Sequence, residues 1–534
     1  MIPVGLSVKF QLRATEMRSS LMNNGRFCLS GKSAHLMICS LMKLFVLIAF
    51  VLLAAYLPAA KPNIIFILAD DMGYGDVQAL NLKSKIPTPH LNRLAKEGMT
   101  FTDAHSPSAV CTPTRYGVIT GRYCWRSPLK RGVLGGYSSP LIEKDRPTVG
   151  SVMQKAGYHT AVIGKWHLGM TMTRLKGGKP DGDRWDGDGN VDFNKPIADS
   201  PTTRGFDEFF GVSASLDMAP YVWIENDQFV KAKLVQQSAV KFPGFVRQGP
   251  RAEDLKFEEG LDVLGERATV FLRRMSKSNK PFFLYMPLTG PHKPVTPHPR
   301  FIGKTGLGLY GDFVMNVDDT VGQVLKALDE TNLSDHTLVM FTSDNGSFMY
   351  RIHDNDDHVK TPTKQQYYSK NHTANGPWRG TKADIWEGGH HVPFFARWPG
   401  KVKSSRECLR VITHTDLFAT VAEVAGAKIP EGAAADSYSF LPLLIGKEKN
   451  YSRPAVIHHS SAGMFAIREG AWKLVLGNGS GGRQKPRGKS FERPYFLVNI
   501  KTHGDEQKNF LEVKPAIAKR LEETFKKIYK NERR

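Results

Sequence analysis

Four apolar segments of the chain are each followed closely by charged, imidazole or amide side chains. The segments span residues 64–69, 160–164, 281–286 and 337–342, and their β-branched and aromatic content predicts strands buried on both faces. The side chains that follow are Asp70 and Asp71, Lys165 and His167, His292, and Asp344 and Asn345. Because binding sites of open parallel α/β sheets form at the carboxyl ends of strands, we expect these groups to meet at one edge of a sheet.

Segments with helical periodicity separate these strands. The spacing predicts helices over residues 88–98, 149–156, 261–275, 310–329 and 414–425, and a further strand over 392–398. From about residue 450 the pattern changes to short strands at 455–458, 465–468, 473–476 and 495–499, followed by a basic helix over 515–530. We therefore predict an α/β fold. A large, mostly parallel sheet flanked by helices occupies residues 61–449, and a smaller antiparallel sheet with one helix occupies 450–534.

The segments 171–203, 225–260 and 350–373 are polar or irregular and are predicted to be loops. The Gly- and Lys-rich segment 477–489 is predicted to be a flexible loop. Segment 350–373 contains His353, His358 and His372. These histidines lack the regular spacing of zinc ligands and are expected at the surface.

The N-terminal 60 residues carry a targeting pattern. Lys43 precedes an apolar run over 44–57 that ends in small residues at Ala60. The run is shorter than the roughly 20 residues that cross a membrane, and its order of basic, apolar and small residues is typical of a secretory signal peptide. We expect export after cleavage near Ala60, no stable membrane span, and a true start at Met42, because residues 1–41 lack any pattern.

The formal net charge of +22 favours polyanionic partners. The basic residues are scattered and form no nucleic-acid module, which argues against nucleic acid. An anionic polysaccharide, an anionic membrane and a merely solvated basic surface stay open. Only Cys111, Cys124 and Cys408 follow the signal segment, too few for a disulfide framework. Whether Cys124 and Cys408 pair stays open.

Cys111 lies in an unusual local context. Pro113 removes a backbone donor, so we expect an irregular segment here, with a helix that begins near Tyr116. Arg115 is a permanent cation that could stabilise an anionic or hydrated group at position 111. The local residues alone leave a reactive side chain and an inert buried thiol equally open.

Asp70 and Asp71 are adjacent carboxylates directly after a buried strand. Such a pair is costly unless positive charge lies between its members. A turn or helix cap would explain the pair structurally, whereas a hard-cation site would explain it functionally.

The segment Cys111-Thr-Pro-Thr-Arg115, with Thr120-Gly121, resembles the Cys-x-Pro-x-Arg…Thr-Gly signature of the type I sulfatases of the alkaline phosphatase superfamily. The strand-end groups occur in the order that the family has, and the resemblance extends from about residue 61 to the C-terminal region. Val118 replaces the usual Leu of the signature, and His391 stands where the family often has Arg.

The resemblance implies a sulfuric ester hydrolase in which a maturation enzyme oxidises Cys111 to formylglycine, whose hydrate is the nucleophile. It implies a calcium ion held by Asp70, Asp71, Asp344, Asn345 and the residue at position 111. It also implies catalytic roles for Arg115, Lys165, His167, His292 and Lys382, and substrate contacts from Lys165, His292, Lys382 and Ser215. His167 would accept a proton from the hydrate, and His292 would lie near the leaving oxygen.

Two other functions remain open from the sequence. A phosphate or phosphonate monoester hydrolase of the same superfamily would use the same motif residues. A non-catalytic protein that binds sulfated glycans is a different class, disfavoured because every motif position is occupied. Basic charge and export favour a sulfated carbohydrate over a steroid or lipid sulfate as the substrate.

Overall fold

The computed structural model describes residues 61–175, 187, 189–241, 244–349 and 372–530, together with Met42. The predicted signal segment, His353 and His358 lie outside the described residues. The strands are β1 (Asn63–Asp70), β2 (Met99–Phe101), β3 (Ala104–His105), β4 (His159–Lys165), β5 (Thr171–Met172), β6 (Ile197–Asp199), β7 (Glu208–Val212), β8 (Ile224–Glu225), β9 (Gln228–Phe229), β10 (Leu234–Gln237), β11 (Gly249–Ala252), β12 (Phe282–Pro291), β13 (Thr337–Ser343), β14 (Phe394–Arg397), β15 (Arg406–Cys408), β16 (Ile412–Thr413), β17 (Val456–His459), β18 (Phe465–Glu469), β19 (Trp472–Val475) and β20 (Phe496–Asn499). The α-helices are α1 (Pro89–Glu97), α2 (Cys111–Thr120), α3 (Val149–Lys155), α4 (Gly260–Met275), α5 (Leu309–Glu330), α6 (Glu387–His390), α7 (Leu417–Val424), α8 (Leu441–Leu444) and α9 (Pro515–Lys530).

A ten-stranded mixed sheet forms the centre of the unit from Lys61 to Arg534, in the order β15-β2-β14-β13-β1-β12-β4-β7-β8-β9. Its five central strands, β13, β1, β12, β4 and β7, run parallel. The outer strands add antiparallel pairs at both sides. The predicted α/β fold class is therefore confirmed, and the five parallel strands direct their carboxyl ends to the same edge.

Strand β1 shows why the central strands read as continuous apolar runs. Ile64, Phe66 and Leu68 enter the core on one face of the sheet, whereas Ile65 and Ile67 enter the core on the other. Helices α2, α3 and α7 cover the first face, and α1, α4 and α5 cover the second. Burial of one such side chain contributes about 1.5–3 kcal/mol, so both layers stabilise the strand that carries Asp70.

The C-terminal sheet has the antiparallel order β17-β18-β19-β20 and packs against α9. Its apolar face includes Ile467 and Leu474 from the strands and Leu521 from the helix, and it also packs on Trp125, which follows helix α2 in the chain. The smaller antiparallel sheet with one helix is thus confirmed. The division into domains 61–449 and 450–534 stays a prediction.

A buried network of charged and imidazole side chains joins this small sheet to residues 103–105 and to helix α6, and we call it the polar joint. Its members are Asp103, His105, Glu387, His390, Arg468, Lys473 and Glu506, with all but Asp103 buried. Lys473 Nζ donates to Glu387 Oε1 at 3.0 Å and to Glu506 Oε1 at 2.9 Å. Arg468 donates to both oxygens of Asp103 at 2.7 Å. Removing one partner of such a buried pair leaves an uncompensated charge, which is strongly destabilising.

Two local features of the structure differ from the sequence-based predictions or answer a question that they left open. Segment 225–260 is more regular than predicted, because β10 and β11 form an antiparallel pair within it. Cys124 and Cys408, whose pairing the sequence left open, are both free and buried. Among the described residues, no helix is both long and apolar enough to cross a membrane.

Candidate active site

The structure brings the strand-end groups together at the carboxyl edge of the parallel strands. Asp70 ends β1, Lys165 ends β4, and Asp344 directly follows β13. His292 follows β12, the strand between β1 and β4. A fifth strand that the sequence pattern missed, β7, leads into Ser215. The sequence did not reveal β7 because the strand is short and contains Gly211.

Cys111 is the first residue of helix α2 and is 2% exposed. The expected irregular segment and later helix start are wrong, because Pro113 lies in the first turn, where its missing N–H is not needed. Gly121 ends the helix in the left-handed conformation, with φ 63°, and its N–H bonds to the Gly117 carbonyl. Burial raises the pKa of the Cys111 thiol to about 11. At neutral pH the unmodified side chain is therefore a thiol and not a nucleophilic thiolate.

Three carboxylates and three cations surround position 111. Asp70 Oδ2 accepts from Lys165 Nζ at 2.6 Å. Lys382 Nζ lies 2.7 and 2.8 Å from the two oxygens of Asp71, and it also donates to Cys111 Sγ at 3.5 Å.

The third pair joins Asp344 to Arg115. Asp344 Oδ2 accepts from the Nε and one terminal nitrogen of Arg115 at 3.1 and 2.7 Å. The remaining terminal nitrogen of Arg115 donates to the Lys165 carbonyl at 2.8 Å. The three acids and three cations are all buried, so opposite charges must lie together for the ions to be tolerated.

The carboxylates are unequally compensated. Burial, followed by the charge of Asp344, raises the pKa of Asp70 to about 8. Burial also opposes ionisation of Asp344, but Arg115 and then Lys165 outweigh it and lower the pKa of Asp344. A further cation beside Asp70 would offset the charge that its present partners leave uncompensated.

The donor atoms fit a hard cation. Asp70 Oδ1 and Asn345 Oδ1 are buried and have no hydrogen-bond partner within the described part of the chain. Asn345 Nδ2 donates to Asp71 Oδ1 at 2.7 Å, which leaves the amide oxygen available. Donor atoms of Asp70, Asp71, Cys111 and His292 lie within 4.8 Å of one another. Carboxylate and amide oxygens suit calcium, whereas His292 offers a nitrogen and fits that ion poorly.

His167 has one free acceptor nitrogen. Its Nε2 lies 2.8 Å from the Leu134 carbonyl oxygen and must donate to it, since a carbonyl only accepts. In the neutral ring, Nδ1 then carries the lone pair, and this nitrogen is buried without a hydrogen-bond partner among the described residues. Burial, followed by the charge of Lys165, holds the pKa of His167 well below 6.5. These features suit a general base that is neutral at physiological pH.

His292 and Ser215 contact each other beside Lys165. His292 Nδ1 donates to the Lys293 carbonyl at 2.6 Å and lies 3.1 Å from Ser215 Oγ, which accepts from Lys165 Nζ at 3.0 Å. Its Nε2 lies 3.6 Å from Asp71 Oδ2. Burial, followed by the charge of Lys382, lowers the pKa of His292 well below 6.5. Ser215, whose sequence context was loose, therefore lies among the expected site residues.

Two histidines have structural surroundings that the sequence did not indicate. His372 is wrongly predicted as a surface residue: it is buried, and its Nε2 lies 2.8 Å from Asp76 Oδ1. The polar composition of segment 350–373 suggested that His372 is exposed. Its partner Asp76 lies far away in the sequence, so the contact could not be predicted. His391 stacks on Trp378 at 4.3 Å and contacts Glu387 Oε2 at 3.1 Å, so it borders the polar joint.

Comparisons with known proteins agree with this geometry. A family model described as Sulfatase matches residues 62–427. An N-acetylgalactosamine-6-O-sulfatase of Bacteroides thetaiotaomicron is 34% identical over 449 residues, covering 78% of this chain and 82% of that protein. The steryl-sulfatase of Mus musculus is 31% identical over 467 residues, covering 77% and 69%.

Solved structures of other proteins also resemble the structure of this chain. One from work on glycosaminoglycan metabolism by Bacteroides thetaiotaomicron has a TM-score of 0.76 and 30% identity, and the match covers 89% of this chain and all of that one. The phosphonate monoester hydrolase of Agrobacterium radiobacter has a TM-score of 0.56 at 17% identity, covering 88% and 95%, and shares the fold alone.

Proposed function

This chain belongs to the sulfatase family, a family of hydrolases, and from that premise we propose that it hydrolyses sulfate esters of a carbohydrate by way of formylglycine at position 111. One observation carries the proposal: the side chain at position 111 is buried among three cations, and the same three cations lower the pKa of His167, whose buried Nδ1 has no hydrogen-bond partner among the described residues. The protonated Cys111 thiol is a poor nucleophile itself, which favours its role as a precursor.

Oxidised to formylglycine, the side chain at position 111 supplies a hydrated aldehyde, whose two hydroxyls allow attack on sulfur and later release of sulfate by elimination. Asp70, Asp71, Asp344 and Asn345 would hold calcium, which supplies charge stabilisation at the sulfate oxygens. The remaining steps fall to residues of the chain. Lys165 and Lys382 offset negative charge that develops on the sulfuryl group.

The two histidines divide the proton transfers. His167 Nδ1 accepts the proton of the hydroxyl at position 111, because its Nε2–H is held by the Leu134 carbonyl. His292, whose Nδ1–H is held by the Lys293 carbonyl, must first take up a proton from solvent at Nε2, which lies 3.6 Å from Asp71 Oδ2, before it delivers that proton to the departing sugar oxygen. Arg115 is bonded to Asp344 and to the Lys165 carbonyl, so it orients the start of α2.

The carbohydrate class rests on two lines of support. The relative with 34% identity is named for N-acetylgalactosamine 6-sulfate, and the chain carries a formal charge of +22. A second relative is a steryl-sulfatase, so steroid sulfate is the competing substrate. We further propose that the chain is exported after cleavage near Ala60 and that a maturation enzyme modifies Cys111.

The decisive experiment combines peptide mass spectrometry with a turnover assay. Peptide mass spectrometry across Cys111 of the active protein should show formylglycine, and Cys111→Ala should lose turnover of an aryl sulfate without a change in melting temperature. Unmodified Cys111 in active protein would refute the mechanism. Faster turnover of the matching aryl phosphate would favour the phosphatase alternative, and faster turnover of a steryl sulfate than of N-acetylgalactosamine 6-sulfate would refute the carbohydrate class.

A further inference from the structure

A group of cations lies beside His292 and outside the residues assigned to catalysis. Lys293 directly follows His292, and its Nζ lies 3.8 Å from Asp217 Oδ2. Arg247 donates to the same Asp217 oxygen at 2.7 Å. Both cations also face the Phe245 ring, with Lys293 Nζ 4.2 Å and the Arg247 guanidinium carbon 5.0 Å from its centroid. A single carboxylate therefore faces two cations.

Lys293 is not needed to compensate Asp217. The Arg247 bond at 2.7 Å is short and charge-assisted, and Arg247 also donates to the Asp217 carbonyl at 3.0 Å. Lys293 Nζ is too distant for a hydrogen bond to Asp217, and it makes none to any other residue that the structure describes. Its side chain is nevertheless only 27% exposed. The ammonium is thus partly desolvated, and its positive charge acts on the neighbouring His292.

A third cation approaches from the C-terminal sheet. The loop 477–489, predicted to be flexible, is packed: the N–H of Arg483 bonds to Asp384 Oδ1, and the Ile385 N–H bonds to the Ser480 carbonyl. Asp384 lies two residues after Lys382, so the loop is fixed to the segment that carries a catalytic cation. Arg483 as a whole residue is partly buried.

The positive charges near Lys293 affect the pKa of its ammonium group. Burial, followed by the charges of Lys382, Arg483 and Arg247, lowers the pKa of Lys293 to about 8 despite the opposing charge of Asp217. Positive charge is therefore in excess at this side of the site. An anion placed between Lys293 and Arg483 would offset that excess and accept their hydrogen bonds.

We propose that Lys293 and Arg483 bind a second anionic group, a carboxylate or a further sulfate, carried by the same sugar substrate whose sulfate ester is hydrolysed. The inference deepens the proposed function and rests on it for the identity of the first anion. It assigns the substrate class as a polyanionic glycan fragment, and it gives Lys293 and Arg483 a role in specificity.

The test uses matched substrates and the full-length enzyme. A chondroitin 6-sulfate disaccharide is compared with its carboxyl-reduced form, and N-acetylgalactosamine 4,6-disulfate with the 6-sulfate. For the wild type we expect kcat/KM to be roughly tenfold or more higher for the more anionic member of at least one pair, the effect of about one charge-assisted hydrogen bond. The pair that shows the preference identifies the anion as carboxylate or sulfate.

Variants assign the preference to residues. Lys293→Met and Arg483→Met should each reduce the preference for the more anionic sugar at least threefold, mainly by raising the KM of that sugar. The kcat/KM of the less anionic sugar should change by less than about twofold. The matched control Lys489→Met removes an exposed cation from the same loop, whose ion pair within the described part of the chain is with Glu492, and should keep the preference. Equal rates on both members of each pair, or a preference that survives both Lys293→Met and Arg483→Met, would overturn the proposal.

A binding measurement separates this inference from the proposed function. Calorimetric titration of the same sugars into wild-type protein does not depend on turnover. Tighter binding of the more anionic sugar, lost in Lys293→Met, would support the second-anion site even if no sulfate is released, in which case only the hydrolytic function fails. Equal binding of both members, or binding of neither, would refute the second-anion site.

Discussion

Replacing Lys473 by Met removes the central cation of the polar joint while keeping the length of the side chain. Glu387 and Glu506, whose oxygens lie 3.0 and 2.9 Å from Lys473 Nζ, then stay buried without that charge. Burial alone would raise the pKa of Glu387, and Lys473, ahead of His105, reverses this and holds it well below its usual value. Breaking a buried ion pair by removing one partner costs about 3–5 kcal/mol.

This cost converts into a measurable shift in melting temperature. With an unfolding entropy of about 2.1 cal/mol/K per residue, a unit running from Lys61 to Arg534 loses about 1 kcal/mol per degree near its midpoint, so the melting temperature should fall by about 3–5 °C. The assay is thermal unfolding at fixed calcium and protein concentration. The kcat on an aryl sulfate should fall too, because helix α6 begins with Glu387, only five residues after Lys382.

Two controls make the prediction strict. Lys526→Met removes an exposed cation paired with Glu522 one helical turn away and should leave the melting temperature unchanged. Adding Glu506→Gln to Lys473→Met also removes one negative charge and should recover part of the lost stability. A Lys473→Met melting temperature within about 1 °C of the wild type, or a double variant no more stable than the single one, would refute the electrostatic reasoning.

Three further outcomes are expected. Because the pKa of His167 is held well below 6.5 by burial and nearby cations, and a base acts in its unprotonated form, the acid limb of kcat/KM against pH should lie below pH 6.5; an acid limb above that value contradicts the assignment. Chelation of divalent cations should abolish turnover and lower the melting temperature, and calcium should restore both, since Asp70 Oδ1 and Asn345 Oδ1 have no hydrogen-bond partner among the described residues; full activity after exhaustive chelation would count against the metal site. Gly346→Ala places a Cβ 1.9 Å from the Gly388 carbonyl oxygen, so the loop after Asn345 must shift and both kcat and melting temperature should fall; wild-type values would show that the loop can yield.

The central strands could be predicted from sequence because burial on both faces leaves a continuous apolar run. The run at 64–69 corresponds to β1, Asn63–Asp70, within one residue at each end. Strand β12 extends five residues beyond its predicted end at residue 286 and includes Pro287 and Pro291. The structure tolerates them where the pairing of β12 with β1 shifts register, between Leu68 and Asp70.

The grouping of the strand-end residues could be predicted from the sequence for a physical reason. Strand ends appear in sequence as apolar runs followed by charges, so Asp70, Lys165 and Asp344 could be associated without coordinates. The polar joint gave no such signal, since Glu387, Lys473 and Glu506 each look like ordinary surface charges. Their burial depends on contacts between segments far apart in the chain, which neither periodicity nor composition records.

The burial of position 111 has a consequence for the order of events during biosynthesis. A side chain that is 2% exposed in the folded protein is out of reach of another enzyme, so the oxidation proposed for Cys111 has to precede closure of the fold. Lys473 and Glu506 leave the ribosome long after residue 111, so the polar joint cannot form before then. At about 5–20 residues per second, that interval is roughly 20–80 s. The late synthesis of the polar joint would thus keep the modification site accessible for about that time.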